Sequence, residues 1–443
     1  MKTPAPFNPI CSADYLPRDK RAELQLARLR RIVAHEYAHV PLYRDRMDAQ
    51  GVKPDDIRSL ADIAKLPFMM KTDLRDTYPF GLFASPMEDI VRIHASSGTT
   101  GKRIILGYTQ GDIDIWAECV ARGLANAGVT TGDKIHVAYG YGLFTGGLGL
   151  HDGAQKLGAT VIPASGGNTE QQINLLRDLG ANIVACTPSY FVHLIDKAEK
   201  MGVDLRKLPL RAGFFGAEPW TEEMRSYIEE HAGIEAFDIY GLTEISGPGV
   251  GLDCAAHQGI HIFEEYFYPE IIDTETLQPV PDGVEGELVF TTLCKFGAPM
   301  IRYRTRDISR IIPEVCPCGR TLRRIDRIRR RSDDMLIFHG VNIFPSQVEA
   351  ALLQVDGSLP HFRIQLDSGA SGLDIMTIEV EIRPEMVSDR VEDMEALRRK
   401  FAAALDTILN IHAVVKLVPP NTLPRSEGKI KRVFDNRKPS LPA

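Results

Sequence analysis

Residues 94 to 102 read His-Ala-Ser-Ser-Gly-Thr-Thr-Gly-Lys. Ser96, Ser97, Gly98, Thr99, Thr100 and Gly101 run directly into Lys102, with the apolar Ile104-Ile105-Leu106 just beyond. Glycines let backbone N–H groups converge, hydroxyls add donors, and a lysine adds charge, so such a loop can wrap a polyphosphate. It is not a Walker loop, which needs G-x-x-x-x-G-K-[ST] ahead of a helix. Gly98 and Gly101 stand too close, Arg103 follows the lysine, and the flanks read as strand. A plain Ser/Gly-rich hairpin is the other reading of the same residues.

Two further groups could act on a nucleotide. Tyr240-Gly241-Leu242-Thr243-Glu244 follows an apolar strand. The hydroxyl of Thr243 can meet a phosphate oxygen there, and the carboxylate of Glu244 suits Mg²⁺. The same pair also fits a helix N-terminus. Tyr303-Arg304-Thr305-Arg306-Asp307 offers in Asp307 a carboxylate for both hydroxyls of a ribose, or an Arg–Asp pair at a strand end. A third group is of another kind. Cys316-Pro317-Cys318 is a tight pair, and Cys254 is followed by His257 and His261. Three thiolates and an imidazole suit a four-coordinate structural zinc.

The elements that must position these groups follow from the pattern. A helical segment spans about 18–49, with Leu24, Leu26, Leu29 and Ile32 as its apolar residues. Beyond the loop, strands at 134–139, 160–163, 182–186, 212–215 and 235–239 alternate with helices at 111–124, 148–157, 169–179, 190–201 and 221–230. That alternation predicts a parallel sheet covered on both faces, with the ligand at the carboxyl ends of the strands. Those ends carry Tyr141, Phe144, the Gly216-Ala217-Glu218-Pro219 segment and Tyr240. After about 250 an antiparallel β region follows, with strands at 268–273, 286–292 and 300–303. The last part is a small α+β unit with helices from Pro345 and over 394–409 and strands at 361–366, 376–382 and 413–418.

The 443 residues carry a net charge of −7, which argues against a nucleic-acid binder as a whole. Arg323, Arg324, Arg327, Arg329, Arg330 and Arg331 form the densest basic stretch, read by default as a solvated strand face. It could instead receive a phosphate group of a ligand or be a local nucleic-acid patch. No apolar run is long enough for a membrane span, the N-terminus lacks a signal-peptide core, and seven cysteines make no disulfide framework. A cytoplasmic location is expected.

Taken in order, the loop at 96–102, the 240–244 and 303–307 segments, Arg331-Ser332-Asp333-Asp334 and Gly428-Lys429-Ile430 resemble the adenylate-forming enzymes. Glu270-Ile271-Ile272-Asp273, Ile301–Asp307, Ser332–Ile337 and Gly340–Gln347 narrow the resemblance to phenylacetate–CoA ligases. It implies an α/β adenylate-forming fold. A large domain, 1–332, would have a helical and loop-rich segment 1–90 and a β-rich subdomain 250–332. A small mobile α+β domain, 333–443, would carry the catalytic lysine.

The resemblance also implies roles. Ser96 to Lys102 would hold the β- and γ-phosphates of ATP. Gly216 to Pro219 would line the adenine, with Tyr240 stacked nearby. Thr243 would touch the α-phosphate and Glu244 would ligate Mg²⁺. Asp307 would bind the ribose with Arg331 close by, Asp333 would be the hinge, and Lys429 would be catalytic. Tyr141, Phe144, Ala217, Ile239 and Pro248 would form the acid pocket. His261, within Gly-Ile-His-Ile, is the closer match to the family's zinc histidine. The implied activity is ATP-dependent ligation of an aryl acid, phenylacetate first among them, to CoA by way of an acyl-adenylate, in aromatic acid catabolism and as a homodimer. Another aryl acid, or an acceptor other than CoA, is the alternative. Two departures stand out: Arg103 where the family has proline, and Arg330 where it has glycine before the hinge.

Overall fold

The computed structural model describes residues 7–96, 103–332, 335–339, 341–359, 361–368, 374–409, 411–424 and 431–437. The chain begins with α1 (Arg18–His39), α2 (Pro41–Ala49) and the short α3 (Lys71–Asp76). The expected single segment over 18–49 therefore breaks once. Pro41 disfavours helical backbone before it, and Val40 is extended at φ −110°, ψ 100°.

The face that α1 buries is not the one its leucines suggest. Arg21, Gln25, Leu29, Ile32, Val33 and Glu36 are buried along it, whereas Leu24 and Leu26 are only partly covered. Arg21 and Gln25 can lie there because they are matched, whereas burial pushes the Glu36 carboxyl well above the usual carboxylate range. Arg21 pairs with Glu265 at 3.0 Å and Gln25 donates to the carbonyl of Glu264 at 2.8 Å. Arg122 reaches the same Glu265 and also Asp14. Pairing of this kind offsets the cost of burying charge and fixes how the N-terminal segment sits on the body.

Next come the antiparallel hairpin β1 (Ile90–Ala95) and β2 (Ile105–Thr109), then α4 (Gln110–Asn126). Thr109 caps α4 through the backbone N–H of Asp112, and Asp112 answers to the N–H of Thr109. The alternating stretch is β3 (Lys134–Val137), α5 (Thr145–Leu157), β4 (Thr160–Ile162), α6 (Thr169–Asp178), β5 (Ile183–Cys186) and α7 (Pro188–Lys200). It continues through β6 (Ala212–Gly216), α8 (Glu222–Ala232) and β7 (Glu235–Leu242).

The β region holds β8 (Gly247–Leu252), β9 (Ile260–Ile262), β10 (Phe267–Ile272), β11 (Gly286–Thr292) and β12 (Tyr303–Ser309). It ends with β13 (Ile311–Ile312), β14 (Arg324–Ile325) and β15 (Arg330–Arg331). It is not one separate sheet. Strands β4, β3, β5, β6 and β7 pair in parallel, and β8, β9, β14 and β13 extend the same nine-stranded sheet antiparallel. Only β10, β11, β12 and β15 form an antiparallel sheet of their own.

The strand expected over 300–303 begins at Tyr303 instead. Arg302 sits in the left-handed region at φ +48° and interrupts the extended run. Its guanidinium is held by both oxygens of Glu270 at 3.0 and 3.2 Å.

The last part has the hairpin β16 (Leu336–Phe338) and β17 (Val341–Ile343), α9 (Pro345–Leu352), β18 (Phe362–Ser368) and β19 (Asp374–Glu381). It closes with α10 (Val391–Leu409), β20 (Val414–Val418) and β21 (Val433–Asp435). Strand order is β20-β19-β18-β21, and Ile364, Ile378, Phe401 and Leu405 lie in an apolar core that belongs to this part alone.

Candidate functional site

Strand β7 is where the nine-stranded sheet changes character, with β6 parallel on one side and β8 antiparallel on the other. Ligands of open α/β sheets collect at such carboxyl edges. Near that edge the Tyr240 hydroxyl donates to Oδ2 of Asp307 at 2.6 Å, and Arg331 holds Oδ1 at 2.9 Å. Burial, then the Asp307 charge, pushes the Tyr240 pKa well up, so the hydroxyl stays a donor. Antiparallel pairing of Asp307 with Arg331 on β12 and β15 places that ion pair. The expected neighbourhood of Tyr240, Asp307 and Arg331 is therefore present. The Tyr240 hydroxyl is committed to Asp307, so any stacking would have to use the ring.

The turn after β7 carries Thr243 and Glu244, both buried. Tyr108 on β2 donates to the carbonyl of Thr243 at 3.0 Å, and the hydroxyls of Thr243 and Thr145 lie 3.3 Å apart. Glu244 accepts from Tyr303 at 3.2 Å and lies 3.5 Å from the ammonium of Lys71. Lys295 donates to the Glu244 carbonyl at 3.0 Å and sits 4.7 Å from the centroid of the Tyr108 ring. Burial lowers the Lys295 pKa to about 8, against the pull of Asp112, Glu244 and Glu36. Asp112, the α4 residue of the capping box, also accepts from the backbone of Phe296 and Gly297 at 2.7 and 2.9 Å. One carboxylate thus caps a helix and anchors the loop that delivers Lys295.

Tyr303 stands at the head of the 303–307 segment without a role assigned from the sequence, and Lys71, Tyr108, Thr145 and Lys295 are not marked by the sequence at all. Each is an isolated residue far along the chain from Glu244, and no local spacing marks it. Only the shared edge of the sheets brings them together.

At the end of β6, Ala217 holds φ +70°, a region that costs a non-glycine residue about 1–2 kcal/mol. Strain of this kind gathers at functional sites. Gly216 must lack a side chain, since a Cβ there would lie 2.1 Å from the carbonyl oxygen of Ile239. Glu218 accepts from the backbone N–H of Ser189 at 2.8 Å at the start of α7, and Pro219 is exposed.

Three of the five acid-pocket candidates, Tyr141, Phe144 and Pro248, lie at the glycine-rich start of α5, while Ala217 stands at the end of β6. A Cβ at Gly147 would meet the Tyr141 ring at 3.1 Å, one at Gly146 would meet Phe144 at 2.7 Å, and one at Gly149 would meet Pro248 at 2.9 Å. The Tyr141 hydroxyl lies 3.3 Å from Nδ1 of His151. Ile239 differs from these: it is buried within β7, paired between Gly216 on β6 and Leu252 on β8.

Ser96 is buried at the end of the β1–β2 hairpin, where its N–H donates to the carbonyl of Ile104 at 3.2 Å. Ser97, Gly98, Thr99, Thr100, Gly101, Lys102, Asp333 and Lys429 lie outside the described residues. Arg103 is exposed. Arg330 pairs with Glu285 and lies over the Phe344 ring at 5.1 Å, so it bridges β15 to the C-terminal part.

The basic stretch is the expected solvated face only in part: Arg329 is exposed and Arg323, Arg330 and Arg331 are partly so. Arg324 and Arg327 are buried. Arg324 donates to the carbonyls of Gln258 and Glu314, and Arg327 pairs with Asp238 and Glu222. These two side chains are turned inward onto protein partners.

Cys254, His261, Cys316 and Cys318 converge, with ligand atoms all within 4.8 Å of one another. Sγ of Cys254 and of Cys316 are 3.7 Å apart, and Sγ of Cys318 is 3.4 Å from Nε2 of His261. Tetrahedral zinc with bonds of about 2.3 Å to sulfur and about 2.0 Å to nitrogen requires separations of about 3.8 and 3.5 Å. The donors and their spacing fit that ion. His257 is otherwise engaged, by Asp253 at 2.7 Å and Glu235 at 3.0 Å.

Comparison with known proteins bears on the whole chain. The family model for the AMP-binding enzyme matches residues 147–294, and that for the AMP-binding enzyme C-terminal domain matches 340–437. The phenylacetate-coenzyme A ligase of Aromatoleum evansii is 50% identical over 442 residues, covering 99% of each chain. That of Escherichia coli K12 is 48% identical over 439 residues, again covering 99% of each. Among solved structures, a 2-hydroxyisobutyryl-CoA ligase in the postadenylation state, complexed with R3-HIB-AMP, superposes with a TM-score of 0.90 at 29% identity, over 96% of this chain and 91% of that one. The same ligase in its thioesterification state, covering 96% and 92%, gives 0.71.

Proposed function

The chain belongs to the phenylacetate–CoA ligase family of adenylate-forming enzymes, and we propose that it joins phenylacetate to CoA with ATP, releasing AMP and diphosphate. The observation that carries this reading is the conjunction of two things. Near-full-length identity of about half ties the chain to ligases of that name, and the Tyr240–Asp307–Arg331 cluster lies beside the Thr243–Glu244 turn at one sheet edge. An acid panel scored for diphosphate release with and without CoA tests it.

The roles follow from the chemistry. The acid's carboxylate attacks the α-phosphorus of ATP and forms an acyl-adenylate as diphosphate leaves. Asp307, already oriented by Tyr240 and Arg331, accepts from the ribose hydroxyls. Gly216 to Pro219 line the adenine, and the strained Ala217 lets backbone approach it. Thr243 binds the α-phosphate. Ser96 to Lys102 hold the leaving diphosphate. Lys429 supplies positive charge to the equatorial oxygens, where it favours the transition state over the ground state.

Glu244 would hold Mg²⁺, which neutralises the phosphate charge. Its buried carboxylate fits a hard cation, because among the described residues it is met only by one tyrosine hydroxyl and one lysine. Zinc would be held by Cys254, His261, Cys316 and Cys318, clamping the β8–β9 connection to the loop before β14; it is structural and remote from the acyl transfer.

The acid pocket is formed by Tyr141, Phe144, Ala217, Ile239 and Pro248. We divide the chain at 332/333, with Asp333 as hinge between the two half-reactions. The superposition favours the adenylation arrangement of the two parts, since the postadenylation state fits better than the thioesterification state of the same ligase. No helix among the described residues is long and apolar enough to cross a membrane, and the proposed location is the cytoplasm. A homodimer is proposed on family resemblance, and sedimentation tests it.

A further inference from the structure

The C-terminal part meets the large sheet's helices through a small buried polar network. Asp196 on α7 lies 3.0 Å from Nε2 of His361, which immediately precedes β18. Both side chains are largely buried, 12% and 4% exposed. The Tyr227 hydroxyl on α8 is bonded to Asp196 as well and accepts from Arg383, just beyond β19, at 2.8 Å. Two groups therefore come from each side, and Asp196 and Tyr227 join them into one chain of bonds. Leu359 of the C-terminal part packs into the apolar cluster that holds Trp220 and Tyr227, and Lys200 donates to Asn421 at 2.9 Å at the rim.

A carboxylate and an imidazole buried at a joint must be paired there or solvated elsewhere. If the two parts rotate between half-reactions, this network exists in one orientation only. We propose that Asp196, His361, Tyr227 and Arg383 are positioning residues for the first half-reaction, latching the C-terminal part in the orientation that presents Lys429 to the α-phosphate. The latch touches no substrate and acts through the orientation of the part that carries Lys429. It rests on the ligase reading above. Its release is a step before CoA can attack, so weakening it slows adenylate formation and spares thioester formation.

The test uses the full-length protein and whichever acid of a panel the wild type activates best. Acid-dependent ATP–diphosphate exchange reads the first half-reaction. CoA-dependent consumption of the separately synthesised acyl-adenylate reads the second. Asp196→Ala and His361→Leu each slow exchange about tenfold, the size of a typical conformational coupling, and leave the second reaction unchanged or faster. His361→Gln, which keeps an N–H donor at the same reach, stays close to wild type. Small-angle scattering of the ligand-free proteins reads the orientation without turnover, and the two disrupting variants become more extended.

Equal loss in both half-reactions, or identical scattering of wild type and variants, overturns the latch. A wild type that exchanges diphosphate with no acid contradicts the ligase reading instead, and the scattering comparison still decides the latch.

Discussion

The Tyr240 hydroxyl donates to Oδ2 of Asp307 at 2.6 Å, joining the nine-stranded sheet to the antiparallel sheet at their shared edge. Arg331 occupies the other oxygen. Asp307 is thereby held in one rotamer before any nucleotide arrives, which removes an ordering cost from binding. Asp307→Ala leaves a buried hydroxyl and a guanidinium without their acceptor, and kcat/KM for ATP falls about a hundredfold. Tyr240→Phe removes one bond to a charged group, about 1.5–3 kcal/mol, and raises the KM for ATP roughly tenfold. Steady-state kinetics with ATP as the varied substrate measure both.

Glu244→Gln keeps the shape of the Thr243–Glu244 turn and removes the charge a metal needs. Its kcat drops on the order of 10²–10³, the range typical for losing an electrostatic stabiliser of a transition state, and the Mg²⁺ requirement rises. Tyr303→Phe, which removes only a neighbour of that carboxylate, has a smaller effect. Titrating Mg²⁺ at fixed ATP separates the two.

Metal analysis of the purified protein finds about one zinc per chain. Cys316→Ser combined with Cys318→Ser abolishes it and lowers the melting temperature, because the donors are spaced for an ion that clamps two connections. Acyl transfer in the surviving folded fraction stays near wild type. Full zinc in the double variant contradicts this assignment.

His94 packs edge-on against the stacked pair Tyr108 and Trp116, with ring centroids 5.4 and 5.5 Å away, and its Nδ1 meets the carbonyl of Leu143 at 3.0 Å. Burial lowers its pKa to about 4. An unfolded histidine titrates near 6.5, so the unfolded state binds the proton first as pH falls. The stability this neutral ring contributes is complete above pH 6.5 and is lost progressively toward pH 4. Between pH 6.5 and 5 the wild type loses about 1.5 kcal/mol relative to His94→Phe, read from urea midpoints. Parallel curves for the two proteins contradict it.

Much of this site is legible in the sequence because its segments are contiguous. Thr243 and Glu244 follow a strand within a few residues, and Asp307 lies in a dense run of charged residues. Cys254, Cys316 and Cys318 stand out in the sequence with both His257 and His261 open as the fourth ligand; the family resemblance points to His261, and the structure brings His261 to the cysteines while Asp253 and Glu235 engage His257. The alternation of strands and helices fixed the parallel half of the large sheet to within a few residues.

What stayed hidden is what depends on distant partners. Lys295 is one lysine between Cys294 and Phe296, and nothing nearby indicates that it reaches the carbonyl of Glu244. The burial of Arg21 and Gln25 on α1 is not legible because the partners that cover them lie some 240 residues away. Arg324 and Arg327 read as a solvated stretch for the same reason. The antiparallel extension of the large sheet is not legible because β9, β13 and β14 have only two or three residues each and carry no periodicity, and β8 is a glycine-rich run, Gly-Pro-Gly-Val-Gly-Leu, without an apolar alternation.

The central claim is that one sheet edge activates an aryl acid and hands it to CoA. The most direct measurement is mass-spectrometric product analysis with phenylacetate and MgATP, with CoA and without it. The account predicts AMP and phenylacetyl-CoA in equal amounts with CoA, and enzyme-bound phenylacetyl-adenylate without it. Phenylacetate-dependent diphosphate release with no thioester formed, or no reaction with phenylacetate at all, would contradict it.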